Sequence, residues 1–324
     1  MRDRWKLLFV AAVAVAIAAV PVTGQSSTPV SRANWLRTAS FGAFMHVLPA
    51  DAAMLAQIDD FNVEAVAQQL SQARVKYFVL TLGQNSGYFN APNTNYERVT
   101  GYRPGERCST RDLPLEFHRV LSQHNIRLML YLPCQTPNQD ARAQKAFGLP
   151  EGVADQPINT AFAQQWAAVI REWSTRYGKK VSGWWFDGGY DSVRFNEAIA
   201  GLYADAARAG NPAAIVTFNP GVGLKRHTRA EDYTAGELNE PFSILPTSRF
   251  VDGSQWHALT YLGSTWAQRD VRYPSDRWRK WYKQVVAHGG AVTFDVGPNW
   301  NPREGPIGGI DHAQFEQLRA IARP

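Results

Sequence analysis

The stretch Gly183-Trp184-Trp185-Phe186-Asp187-Gly188-Gly189 ends an apolar run on a single carboxylate followed by two glycines. A near-continuous apolar run suits a strand covered on both faces, as in a parallel sheet. Six further runs of this kind are Phe41–His46, Tyr77–Gly83, Arg127–Pro133, Ala214–Pro220, His257–Gly263 and Ala291–Gly297. A weaker eighth lies around Tyr233–Leu238. Most are separated by segments with apolar residues at helical spacing: Asn62–Arg74, Asp112–His124, Asn159–Tyr177, Ser192–Ala209, Ser275–His288 and Asp311–Ala322. The first puts Val63, Val66, Leu70 and Ala73 on one face, with Asn62 as its cap. No helical pattern fills the gap between Pro220 and Tyr233. The alternation predicts an α/β fold, a (β/α)8 TIM-type barrel in one domain. No glycine-rich phosphate loop follows the first strand, which argues against a nucleotide-binding doubly wound sheet.

The chain has 324 residues, 45% hydrophobic and 19% charged, enough length and apolar content for a sizeable core. Arg2, Arg4 and Lys6 precede an apolar run from Leu7 to Val20, then Pro21 and a small, polar exit. That order describes a signal peptide over residues 1–26, leaving a domain over 27–324 and a secreted or periplasmic location. The run is short for a membrane span, so no stable insertion is expected after cleavage; an uncleaved anchor is the alternative. The formal charge of +6 includes a net of +2 from the leader, and the remaining basic residues are scattered. The densest basic stretch, Arg269 to Lys283, has helical spacing and two interrupting aspartates, a solvated helix face rather than a nucleic-acid site. Cys108 and Cys134 fit no zinc spacing. One precedes a helix and the other follows the next strand, on the same end of the expected barrel, so export would permit a disulfide between them; two free thiols are the alternative.

Functional side chains of a barrel gather at the carboxyl ends of its strands. Here those ends carry His46, Gln84 with Asn85, Tyr131, Asp187, Asn219, Glu237, Tyr261 and Asp295. The set has no second His at metal-ligand spacing, and Gly-x-Ser-x-Gly does not occur, so neither a metal nor another cofactor is expected. Carboxylates on separate strand ends, among aromatics and amides, suit glycosidic cleavage, in which one attacks the anomeric carbon and another protonates the leaving oxygen. Burying Asp187 behind so apolar a run is costly without a purpose, although an Asp capping the following helix would also account for it. Trp185 shares Asp187's side of the strand and serves as a sugar platform or as packing. Of Trp256, Trp266 and Trp300, at least one is expected to line the pocket.

In these residues the sequence resembles glycoside hydrolase family 29, the α-L-fucosidases. Phe41-Gly42-Ala43-Phe44-Met45-His46 is similar to the family's first strand, and Ala73–Thr81 to its A-G-A-K-Y-x-V-L-T. Trp185-Phe186-Asp187-Gly188 resembles the W-x-D-G that carries the nucleophile, and Asp232–Glu237 the D-[FY]-x-T-x-E that in some members carries the acid/base. Gly263–Trp266 and Gly289–Pro298 match later motifs, so the resemblance spans roughly residues 32–324. It implies an exported retaining exo-α-glycosidase cutting a terminal fucose or related sugar from a glycan, with Asp187 as nucleophile and Glu237 as acid/base. Glu240, three residues on, is the rival for that second role. His46, Gln84, Asn85, Tyr131, Trp185, Asn219 and Trp266 are the expected sugar-binding residues.

The departures fall on the sugar-reading shell. The family's H-W-G is His46-Val47-Leu48, its K-H-H-D-G-F is Gly83-Gln84-Asn85-Ser86-Gly87-Tyr88, and its N-D-R is Asn219-Pro220-Gly221, without the Arg. Carboxamides still pair with hydroxyls but carry no charge. A different α-linked or modified deoxysugar is therefore a second expectation, and a non-catalytic carbohydrate-binding barrel a third.

Overall fold

The computed structural model describes residues 32–135, 137–151 and 156–323. The expected signal peptide lies outside them. Strands β1 (Phe41–Met45), β2 (Tyr77–Thr81), β3 (Arg127–Pro133), β4 (Val181–Asp187) and β5 (Ile215–Phe218) are followed by a short hairpin, β6 (Phe250–Val251) and β7 (Ser254–Gln255). Then come β8 (His257–Tyr261) and β9 (Ala291–Val296). All but the hairpin form one parallel seven-stranded sheet in the order β5-β4-β3-β2-β1-β9-β8. The last two strands thus return to the side of the first, as in a curled sheet.

Seven strands form where apolar runs were read; the eighth, around Tyr233–Leu238, does not. That segment makes only isolated bridges, Tyr233 with Gln255 and Glu237 with Leu259. It nevertheless touches both edges of the sheet. On the β8 side, Leu259 N donates to Gly236 O (2.8 Å) and Leu238 N to Leu259 O (2.9 Å). On the β5 side, Asp232 N donates to Val216 O, while side chains do the rest: Val216 N donates to Asp232 Oδ2 and Phe218 N to Glu231 Oε1, each 2.9 Å. Regular pairing fails partly because Gly236 has φ +62°, and a Cβ there would lie 2.0 Å from His257 O. Only glycine tolerates that close, left-handed passage.

The sheet separates two apolar layers. Phe44, Val79, Met129, Trp185, Ile215 and Leu259 share the inner one with Tyr233 and Ala235 of the irregular segment. The helix Asn34–Ala39 adds Leu36 to the same layer. Alternate residues such as Ala43, Met45, Phe78 and Leu80 face outward, against the helices. This period-two division is what strands buried on both faces require. The expected cap forms, with Asn62 accepting from Ala65 N, and Asp112 and Asn159 cap their helices in the same way, accepting from Leu115 N and Phe162 N. The helix expected from Ser192 begins at Glu197, where Asn196 caps it, after a single 3-10 turn over Asp191–Val193. No helix follows β5, as its sequence foretold.

Cys108 and Cys134 are both free and fully buried, so the expected disulfide does not form. The thiols occupy different surroundings. Cys108 lies near Glu97, Glu172 and Arg176, whereas Cys134 sits near Asp187 and Glu231, with its carbonyl bonded by Tyr203 Oη. Burial pushes both thiols far above the ordinary range, which makes them inert packing groups. Among the described residues no helix is long and apolar enough to cross a membrane.

Candidate active site

A cavity of about 320 Å³ opens at the carboxyl ends of the strands. His46, Gln84, Tyr131, Trp185, Asp187, Glu237 and Trp266, all singled out from the sequence, line it. Asn219 lies beneath, fully buried. Asn85 does not reach this cavity; it lines a smaller one beside it. Phe44, Leu48, Tyr190, Leu259 and Ala267 complete the walls, and the four aliphatic or Phe side chains among them carried no polar signal by which sequence reading would have found them. Glu240 is largely exposed and bonded to Tyr273 Oη, away from the cavity.

Asp187, the last residue of β4, accepts four hydrogen bonds. Tyr131 Oη (2.6 Å) and Gln84 Nε2 (3.3 Å) reach Oδ2; Asn219 Nδ2 and Gly188 N, each 2.9 Å away, reach Oδ1. All four partners are donors, which matches the acceptor oxygens of a carboxylate. The bland reading of Asp187 as a helix cap is not what its partners describe, since Asn196 caps the helix that follows. Tyr131 sits opposite Trp185 in the β3–β4 register, and their rings stack at 5.3 Å. Burial, reinforced by the Asp187 charge, holds the Tyr131 phenol well above its ordinary pKa, so it remains a donor.

Asn219 joins the two carboxylates. Its Nδ2 donates to Asp187 Oδ1 at 2.9 Å and to Glu237 Oε2 at 2.5 Å. The two oxygens therefore lie no farther apart than ~5.4 Å, short of the ~6.5–9.5 Å that an inverting pair uses. The side chain expected to read sugar is thus spent on the carboxylates, and its Oδ1 accepts from Gly221 N. Burial pushes the Glu237 carboxyl above the usual range; the Asn219 bond draws it back, and the Asp187 charge adds to the rise.

His46 follows β1 on the cavity wall, its Nδ1 2.8 Å from Oδ1 of buried Asp295. The other oxygen of Asp295 accepts from Ala267 N (2.7 Å), so one carboxylate fixes both the imidazole and the loop carrying Trp266. Trp185 is 4% exposed and bonded through Nε1 to Ala235 O, more packing than platform. Trp266 is half-buried at the rim, against His46 and Tyr261. Trp256 is buried near the opposite end of β8, and Trp300 packs on Phe61. Among the described residues no group of three or more His, Cys, Asp or Glu is placed to hold a metal ion.

Residues 34–323 match the family described as Alpha-L-fucosidase. The chain belongs to that family, among the glycoside hydrolases. Solved structures agree in fold with this α-L-fucosidase-family chain. The endo-fucoidan hydrolase MfFcnA4 of glycoside hydrolase family 107 superposes with a TM-score of 0.71 at 17% identity, over 92% of this chain and 54% of its own. The chain therefore spans about half the length of that hydrolase. α-L-Fucosidase isoenzyme 1 from Paenibacillus thiaminolyticus gives 0.62 at 17%, over 91% and 75%. The α-L-fucosidase AlfC, solved with Fucα(1,6)GlcNAc, gives 0.62 at 13%, over 90% and 96%. Identities this low speak for the fold alone. No curated protein matches the sequence.

Proposed function

We propose that this protein is a retaining exo-α-glycosidase that removes a terminal L-fucose or related sugar from a glycan by double displacement. The observation that carries the reading is the single Asn219 nitrogen donating to both carboxylates. In the first step ionised Asp187 attacks the anomeric carbon while Glu237 protonates the departing oxygen; in the second Glu237 takes a proton from water, which releases the sugar. The raised Glu237 supports its role as the acid, because it must hold a proton when it acts. Tyr131, Gln84, Asn219 and Gly188 hold the Asp187 carboxylate by hydrogen bonds and orient it. His46 and Trp266 are read as sugar contacts. We read the sheet as a (β/α)8-type barrel whose eighth position is the irregular Tyr233–Leu238 segment, in one domain over residues 27–324. The basic and then apolar leader supports export.

The decisive test is Asp187→Ala with an aryl α-L-fucoside. Turnover should be lost by at least ~10⁴-fold and partly restored by azide or formate, which enter the vacated space and attack in its place. Undiminished turnover in this variant would refute the mechanism. The second reading, the same machinery with a modified deoxysugar, is favoured by the carboxamides at Gln84 and Asn85, and rates on a panel of aryl glycosides separate the two.

A further inference from the structure

A smaller cavity of about 70 Å³ adjoins the main one, and the two share Gln84, Asp187 and Tyr190. Its remaining side-chain walls are Asn85, Gln135, Asn138 and Pro133. Glu237 lines the main cavity only. Under the reading of Asp187 as nucleophile and Glu237 as proton donor, on which this inference rests, the leaving group departs on the Glu237 side. A group that enters the annex from the reacting sugar therefore belongs to the glycone.

The annex has a definite chemistry. The side chains of Asn85 and Asn138 make no hydrogen bond among the described residues. Gln135 Nε2 is committed to Gln156 O at 2.7 Å, which leaves its oxygen as an acceptor. Carboxamides both donate and accept, as uncharged oxygen groups require. No Arg or Lys lines either cavity, and the charged side chain of the annex is Asp187 itself. An anionic substituent would meet a like charge with no counter-ion. At about 70 Å³ against about 320 Å³, the annex is the side compartment and the main cavity the one with room for the ring.

We propose that the annex is a specificity pocket for a small, uncharged, oxygen-bearing substituent on the glycone, such as a hydroxymethyl or an O-acetyl group. The preferred sugar then carries one group more than fucose. Asn85 reads that substituent, while its neighbour Gln84 is turned to Asp187.

The test compares kcat/KM of the full chain on 4-nitrophenyl α-L-fucoside, its α-L-galactoside counterpart with a C6 hydroxyl, mono-O-acetyl fucosides and a mono-sulfated fucoside. Asn138→Leu and Gln135→Leu are measured alongside, each checked for an unchanged melting temperature. At least one uncharged substituted glycoside should match or exceed the parent, and that ratio should fall ~10-fold in Asn138→Leu, and also in Gln135→Leu where the substituent carries a hydroxyl for the Gln135 oxygen to accept from, as expected for a lost hydrogen bond. The galactoside and acetyl arms tell which substituent is taken. A parent that outranks every substituted sugar, a preferred sulfated one, or a ratio unmoved by both variants overturns the proposal. If no glycoside is hydrolysed, the nucleophile reading fails separately, and the annex is judged by calorimetric binding of L-fucose, L-galactose and O-acetyl-L-fucose. A substituted sugar bound more tightly than L-fucose by wild type, with that margin lost in the variants, supports it; equal or weaker binding of every substituted sugar overturns it.

Discussion

Asn219 is the side chain on which the two carboxylates depend. Fully buried, it donates a hydrogen bond to each, so both carboxyl groups are met by a neutral group that cannot itself titrate. Asn219→Ala would leave two nearby carboxylates without this donor. Loss of a single preorganised donor to a reacting charge costs ~10²–10³ in rate, and kcat/KM should fall by at least ~10²-fold. The pH profile should move as well. The Asn219 bond lowers the Glu237 pKa, so its removal raises it further. As the proposed proton donor Glu237 would have to be protonated to act, and the alkaline limb of kcat/KM should therefore shift to higher pH. A limb that stays in place would show that another group donates the proton. Asp187 was legible because a carboxylate at the end of a buried strand stands out against its apolar surroundings, and Glu237 because Asp232–Glu237 resembles the family's D-[FY]-x-T-x-E. The bridge was not, since the same Asn reads equally well as a sugar contact.

Among the elements, the gap between β5 and β8 is filled in an unusual way. Glu231 and Asp232 use their carboxylates to accept the Phe218 and Val216 amides that a neighbouring strand would otherwise take. Glu231 also accepts from His227 N, Thr228 N and Thr217 Oγ1, tying the long loop before it to the strand that ends at Asn219. Asp232 is paired with Arg32 and Arg208, which offset its burial. Glu231 has no cation partner among the described residues, and burial raises its pKa from 4.5 to about 7 despite its four donors. The folded state thus binds more protons than the unfolded one between those values. Stability from this group is fully present below pH ~4.5 and is lost as pH rises through ~7, a contribution of order ~3 kcal/mol. Glu231→Gln should flatten the slope of stability against pH in this window, because the amide does not titrate. It should also lower stability by ~1–3 kcal/mol, since an amide NH2 would face backbone donors. Denaturant melts from pH 4.5 to 7.5 check both effects; a slope unchanged in the variant would assign it to another group. The weak periodicity of Tyr233–Leu238 had already set this segment apart from the seven clear runs.

In the whole molecule, two thiols share one continuous interior without meeting. Each is packed at zero exposure, and both are held protonated by burial. Ellman's reagent should find no reactive thiol in the folded protein and two after denaturation, and reductant should leave the melting temperature unchanged. A melting temperature lowered by reductant, or a thiol count of zero after denaturation, would restore the disulfide. The expectation of a bond came from two loops on one end of the fold, but sharing an end does not bring two Cβ atoms within the reach of a disulfide, about 3.5–4.5 Å.

The sequence by itself determined the parallel α/β order, the seven clear strands, the Asn62 cap and the carboxylate of Asp187. These follow from local pattern: apolar runs, helical spacing, and a charge where none is cheap to bury. Only the tertiary structure decided how the eighth position is filled, that Glu237 rather than Glu240 faces the cavity, and that the cysteines lie apart. It also turned Asn219 and Gln84 toward Asp187 and Asn85 into the annex. Those outcomes depend on side-chain direction and on partners far along the chain, and a carboxamide or a thiol carries no mark in sequence of which neighbour will meet it.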